Sequence, residues 1–340
     1  MSRRNNFDLL RHVAALLVLW YHSFLLSATS ITKDLYDPLG SLFGAEGKIG
    51  ATGVNIFFLL SGYLIASSWL RKQDFLSFSE ARLLRIFPGL IVSVLLCTLI
   101  IGPIFTVSSM AEYASHWSFR WFIVGNITMF LQVEELSGLF LSNPHPVVVN
   151  GALWTLPKEL IMYGVVLVAG IFARGRFAQL GLLVVFALFY VASCSLMIAN
   201  GEGETVLTLT RVGRYFCAGV FVLLLERSVA KHFQLAIFVL CVAAQMLPYS
   251  SVHIFTLPLA MAMGFIFFAN HVRIPVLTSR WKVDLSYGLY IFGYPIQQAI
   301  ASVNPSIDAY TMFLISAPIV AAVAWLSWSF VEEPCLNLKG

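Results

Sequence analysis

Apolar positions along this chain gather into ten stretches of spanning length, near 7–27, 51–70, 86–106, 153–173, 177–199, 206–225, 232–248, 252–270, 284–303 and 309–331. About 20 apolar residues carry a helix across the hydrocarbon core of a bilayer. An eleventh stretch, 119–132 (FRWFIVGNITMFLQ), is short and interrupted by Arg120 and Asn126. Composition agrees with the pattern: 59% of the 340 residues are hydrophobic and 11% charged, with mean hydropathy +0.83. A soluble domain carries roughly 25% charged residues. The expected architecture is an all-α polytopic integral membrane protein of about ten transmembrane helices. It forms a single membrane domain over 1–340, with no separate soluble domain.

The charges orient these spans. With the N-terminus in the cytoplasm and 119–132 not crossing, the inner side holds Arg3, Arg4, Arg11 and Lys339. It also holds Arg71, Lys72, Arg82, Arg85, Arg174, Arg176, Arg227, Lys231, Arg273, Arg280 and Lys282, making 15 of the 21 basic residues. Outside stand acidic or neutral stretches such as Asp34 to Glu46, Glu134-Glu135 and Gly201 to Glu204. A crossing at 119–132 would turn every later basic loop outward, against the positive-inside rule. Both termini are therefore expected in the cytoplasm, with 107–152 an external loop and 119–132 a re-entrant candidate between the third and fourth spans. The net charge of +4 comes without any Lys/Arg block suited to a phosphate backbone, so nucleic acid is not an expected partner. Cys97, Cys194, Cys217, Cys241 and Cys335 show no CxxC spacing, which argues against a zinc site or a disulfide framework.

Candidate chemistry starts in the first span, FDLLRHVAALLVLWYHSFLLS, which carries Asp8, Arg11, His12 and His22. Titratable groups in a span are costly, and are usually paired or face a cavity. Arg11 and His22 are eleven residues apart. At about 100° per residue they share a face, separated by about 16 Å along the axis. Neutral imidazole is the usual general base for a hydroxyl and can also act as a nucleophile. His12 lies off that face and reads as structural or interfacial. In GVNIFFLLSGYL (53–64), Gly53 and Gly62 read as packing residues, and Ser61 has no sequence-local base. Arg82 and Arg85, in ARLLRIFP, read alone as headgroup anchors, although guanidiniums at i and i+3 also suit a phosphate clamp. In LWTLPKELIMY (153–163), Glu159 sits about a turn inside its span and wants a partner; Arg211, Arg214 and His22 are the candidates. DLSYGLYIFGYP (284–295) and FVEEP (330–334) combine aromatics with helix breakers. No Walker loop, GxGxxG, GxSxG or HExxH occurs.

Taken together and in this order, these stretches resemble the membrane-bound acyltransferase-3 family, which includes bacterial O-antigen and other surface-glycan O-acetyltransferases. The family's arginine, ten residues, then histidine fall on Arg11 and His22, with Asp8 preceding. Its GVDxFFxxSGxL motif falls on Gly53, Phe57, Phe58, Ser61, Gly62 and Leu64, and its RxxR motif on Arg82 and Arg85. Its WSLxxE motif falls on Trp154, Leu156 and Glu159, with Thr155 for serine. Its late D-x-S-Y-x-L-Y motif falls on Asp284, Ser286, Tyr287, Leu289 and Tyr290. Asn55 stands where the family often has aspartate, and Gly293 where many members have a second histidine. The chain ends just after its last span, as in members without an extra SGNH-type domain.

The resemblance implies acetyl-CoA, or another acyl-CoA, as donor substrate with no bound cofactor. It implies a sugar hydroxyl of a surface polysaccharide, or of its lipid-linked precursor, as acceptor, and the bacterial inner membrane as location. On this reading Arg82, Arg85, Arg11 and Ser61 serve the donor. His22, Arg11 and Glu159 form the catalytic set, and Trp154, Arg211, Arg214 and Tyr287 lie on the acceptor side. His22 would act as general base or become acylated and relay the group. Two other classes stay open on the residues alone: a proton-coupled transporter or flippase for a glycan or amphipathic solute, and an inactive membrane scaffold.

Overall fold

A computed structural model describes residues 6–28, 38–43, 48–200, 205–248, 250–272 and 283–338. Arg3, Arg4, Arg273, Arg280, Lys282, Lys339, most of 34–46 and all of 201–204 lie outside the described residues, so much of the topological charge pattern is read from sequence only. Among the described residues none is in a β-strand, and the chain is an all-α, multi-pass membrane protein. Eight helices are long and apolar enough to cross a bilayer. Of the other two expected spans, one is the short helical run Lys231–Met246, and the other is Ser286–Val303, which carries Gln297 and Gln298.

In chain order the helices are α1 (Phe7–Leu26), α2 (Pro38–Phe43), α3 (Ile49–Lys72), α4 (Phe75–Leu95), α5 (Gly102–Phe105), α6 (Met110–Ser115), α7 (Trp117–Thr128) and α8 (Leu156–Phe172). Then follow α9 (Ala178–Asn200), α10 (Thr205–Ser228), α11 (Lys231–Ala243), α12 (Ser250–His271), α13 (Ser286–Val303), α14 (Ala309–Ser327) and α15 (Glu333–Leu336). The third apolar stretch, expected from residue 86, is helical from Phe75. Asp74 explains the early start: its carboxylate accepts the Ser77 amide at 2.7 Å, an N-cap bond. That carboxyl is held below its ordinary value by the Ser77 hydroxyl and amide. The re-entrant candidate is a 12-residue helix, α7, ended by Met129 in the left-handed conformation. At 1.5 Å per residue it is about 18 Å long, short of the roughly 30 Å hydrocarbon core.

The chain divides into two compact units. The first comprises residues 1–11, 54–78 and 158–281, and holds most of α3 and α8 with α9 to α12. There α3 and α10 cross at glycines: a Cβ on Gly62 would overlap the Phe216 carbonyl, and one on Gly219 the Leu59 carbonyl. Such close approach is how membrane helices gain packing energy when lipid and side chains are equally apolar. Pro258 sits inside α12 and cannot donate to the Ile254 carbonyl one turn back. The freed carbonyl accepts from Arg214 Nη1 at 3.2 Å and Cys194 Sγ at 3.7 Å. Freed backbone groups in a membrane are re-satisfied in this way.

The second unit comprises residues 12–53, 79–157 and 282–340. Its centre is α13, buried at Ser286, at every position from Gly288 to Gln298, and at Ala301. A helix surrounded by protein can carry amides and tyrosines that lipid would exclude, and here many of them find partners. Pro295 frees the Ile291 carbonyl, which accepts from Asn150 Nδ2 at 3.0 Å and Ser93 Oγ at 3.3 Å. Gln297 Nε2 reaches Ser23 at 2.8 Å and Ser316 at 2.9 Å. His12 Nε2 accepts the Leu285 amide at 3.1 Å, so it caps the start of α13 and is structural. After α4 the helix widens into a π-helical stretch, Leu96–Ile101. Within it the Thr98 carbonyl accepts the Tyr113 hydroxyl at 2.8 Å, which ties α6 to the bundle.

Candidate functional site

The sequence-selected residues fall into three constellations, two in the second unit and one in the first. In the second unit, His22 lies on α1 and meets Tyr294 of α13 edge-on, with ring centroids 5.1 Å apart. Its Nδ1 is buried without a hydrogen-bond partner among the described residues. An unbonded imidazole nitrogen shut away from water is costly unless something else uses it. Tyr294 is held in turn by the backbone at Gly151, where a Cβ would come within 2.7 Å of its ring. The turn Gly151–Thr155 carries Trp154, half-buried, and docks through Thr155, whose hydroxyl lies 2.9 Å from that of Tyr290. Gly293, at the family's second-histidine position, faces α1: a Cβ there would sit 2.8 Å from Leu19 Cδ1. A larger side chain would push α1 off α13.

About 10 Å along α13 from Tyr294, by helical rise, lies a charged cluster around Arg85. Its guanidinium pairs with Asp284 at 2.6 Å, and its face approaches the rings of Tyr287 and Trp328 at 6.0 and 5.9 Å. Asp284 also accepts from the Ser286 amide at 3.1 Å and hydroxyl at 2.6 Å, and Tyr287 donates to the Ile86 carbonyl at 2.8 Å. Glu332, 2% exposed, bonds Ser327 at 2.7 Å and lies within electrostatic reach of Arg85 and Asp284. Arg85 is engaged by a carboxylate, so part of its charge is answered within the protein, and Arg82, the other guanidinium of the pair, is half-buried. Tyr287, expected on the acceptor side, stands beside Arg85.

In the first unit, Glu159 accepts a hydrogen bond from Ser61 Oγ at 3.0 Å and a very short one from the Tyr163 hydroxyl. Arg211, Arg214 or His22 was expected to answer this carboxylate, but its hydrogen bonds come from two hydroxyls. Ser61, expected to serve the donor, is thus tied to the carboxylate of the expected catalytic set. Arg214 is 4% exposed, and donates through Nε to the Arg211 carbonyl at 3.3 Å as well as to Ile254. A guanidinium used by two backbone carbonyls acts as a helix lock, which gives Arg214 a structural role in this unit. Arg211 remains half-buried on the same helix. Arg11 lies 3.7 Å from Asp8, one turn away on α1.

Sequence reading missed the partners. Asp284 and Ser286 were visible as a motif, but nothing local ties them to Arg85. Glu332 lay in an undistinguished FVEEP. His145, within electrostatic reach of His22, and Glu134, within reach of Tyr294, sit in a loop with no periodicity to mark them.

Fold and site together define a multi-pass membrane protein in which a half-buried histidine, its Nδ1 shut away from water, and a charged cluster both pack against one central helix. A family model described as an acyltransferase domain matches residues 4–332. The chain belongs to the acyltransferase-3 family, and is an acyltransferase. It is 30% identical over 348 residues to an O-acetyl transferase of Shigella phage Sf6, covering 99% of this chain and 97% of that protein. It is 27% identical over 361 residues to nodulation protein 10 of Rhizobium leguminosarum bv. viciae, covering 99% and 95%. It is 23% identical to the O-acetyltransferase OatA of Staphylococcus aureus, over 86% of this chain and 53% of that protein. No solved structure matches.

Proposed function

We propose that this protein moves an acetyl group from acetyl-CoA to a sugar hydroxyl of a bacterial surface polysaccharide, or of its lipid-linked precursor, in the inner membrane. Both termini are cytoplasmic in this reading. The observation that carries it is the buried, unbonded Nδ1 of His22 on a membrane helix, in a chain of a family of acyltransferases. Such an imidazole can take the proton of the acceptor hydroxyl, or attack the thioester itself and relay the acyl group. Arg82, with Arg11 on the same α1 face as His22, holds the donor phosphates. Arg85 is fixed by Asp284 and acts by positioning α4 against α13. The resemblance assigns Glu159, held by Ser61 and Tyr163, to the catalytic set, and Trp154 and Arg211 to the acceptor side.

The test uses membranes supplied with labelled acetyl-CoA and a lipid-linked glycan. His22→Ala is expected to abolish label transfer while the protein still accumulates in the membrane, and Arg82→Ala to raise the KM for acetyl-CoA. Full transfer by His22→Ala would refute the proposal, and solute flux without acyl-CoA consumption would assign the protein to transport. Mass spectrometry of the glycan distinguishes acetyl from succinyl or longer groups, and identifies the sugar.

A further inference from the structure

The segment between α7 and Gly151 is irregular, but its backbone is fastened to α13. Gln298 Nε2 donates to the carbonyls of His145 at 2.8 Å and Val148 at 2.7 Å. Asn143 Nδ2 donates to Gln298 Oε1 at 2.7 Å and to the Gln298 carbonyl at 2.9 Å, and Ser302 donates to Asn143 at 2.9 Å. The Val149 amide reaches the Glu134 carbonyl at 2.8 Å, which brings the two halves of the segment together. Gln298 is 0% and Asn143 6% exposed. These bonds engage the main chain at His145 and leave its ring for other use. Gln298 follows Tyr294 by one turn, about 6 Å along the axis, and Tyr294 is the residue that His22 meets edge-on. Two histidines from distant parts of the chain therefore come to neighbouring turns of α13. His145 lies within electrostatic reach of His22, and Glu134 lies within reach of both His145 and Tyr294.

We propose that His145, backed by Glu134, is the proton partner of His22. This rests on the general-base form of the function proposed above. As the acceptor oxygen attacks the acyl carbon, its O–H bond breaks and the proton passes to His22. The new C–O bond forms, the C–S bond breaks, and the thiolate takes a proton from water on the donor side. His22 then hands its proton to His145, which releases it to water at the loop, so both imidazoles return to their starting state. Burial holds His145 below its ordinary value, with Glu134 opposing the shift, so its ring is neutral and able to accept at pH 7. The titratable groups within its electrostatic reach are Glu134 on the loop and His22 on α1. The family's second imidazole is replaced by Gly293 in this chain, and the loop supplies one from another direction.

His145→Gln tests this, because the bonds from Gln298 reach the main chain and survive the substitution. The expected result is a fall in kcat of about 100-fold, at the low end of general acid–base effects. The acceptor KM should be unchanged, and imidazole added to the buffer should recover part of the loss. Glu134→Gln should move the acidic limb of the pH profile to lower pH, since the carboxylate that raises the imidazole is gone. If His22→Ala is inactive while His145→Gln keeps the wild-type kcat and pH profile, the inference is overturned. A loss of activity with no rescue by imidazole and an unmoved acidic limb also overturns it, in favour of a structural role. Full activity in His22→Ala would instead overturn the function on which the inference rests.

Discussion

If Arg214 exists to satisfy the carbonyl that Pro258 frees, its value depends on the proline being there. Arg214→Met removes two bonds, to Ile254 at 3.2 Å and Arg211 at 3.3 Å. Bonds from charged donors are worth about 1.5–3 kcal/mol in soluble proteins, but side-chain bonds in membrane bundles average about 0.6 and reach about 1.7. Both bonds here are long, so the lower scale governs. The Ile254 carbonyl is left with only the weak thiol donor of Cys194 at 3.7 Å, which adds about 1 kcal/mol, the low end of the cost of an unanswered carbonyl, partly offset because a buried charge is also removed. A net cost of about 2 kcal/mol follows. In a Pro258→Ala background the restored amide donates to Ile254, and Arg214→Met should then cost only about 1 kcal/mol, a coupling of about 1 kcal/mol in the double-mutant cycle. The assay is denaturant unfolding in mild detergent, read by a thiol-reactive dye at the buried Cys217 and Cys194. Equal costs in the two backgrounds would refute the lock. So would an Arg214→Met protein of unchanged stability with a raised acceptor KM, which would return Arg214 to the acceptor side.

Two further substitutions test packing and capping. Gly62→Ala should prevent recovery of monodisperse protein, because its Cβ overlaps the Phe216 carbonyl, whereas Gly164→Ala, with nothing within 4 Å, should behave as wild type on size exclusion. Asp308 caps α14, accepting the Tyr310 and Thr311 amides at 3.0 Å each, and the Thr311 hydroxyl and amide hold its carboxyl below the ordinary value. A lowered folded value means the contribution is present above the unfolded value near 3.9 and fades as pH falls through the folded one. Asp308→Ala should cost about 1 kcal/mol at pH 7. Asp308→Asn should melt nearly as wild type there, but lose this acid dependence. An unchanged acid limb in Asp308→Asn would remove the cap from the account.

What the sequence located and what it left open differ in one physical respect. Hydropathy is local, so long apolar runs announce themselves, and α1, α3 and α9 stand where expected. Cost is also local: a charge or imidazole in a span must be answered, so Arg214, Glu159 and His22 were marked as consequential. What answers each is not local. Arg214 is spoken for by a carbonyl 40 residues away, and Glu159 by a serine 98 residues away. Tyr287 was placed on the acceptor side by its motif, yet its hydroxyl is fixed on α4, beside Arg85.

By itself, then, the sequence determined that this is an all-α membrane protein and which polar residues its spans must account for. Its joined motifs also pointed to the family that the comparisons then established. Only the tertiary structure decided that the polar helix 286–303 is the buried centre of its unit, because surrounding protein, unlike lipid, can bond amides and tyrosines. It also decided which polar groups are consumed by structure. Proline-freed carbonyls take Arg214 and Asn150, and Asp284 takes Arg85. A buried nitrogen of His22, beside Tyr294, has no hydrogen-bond partner among the described residues, and a second histidine comes within reach of His22 from a loop that no periodicity could have placed.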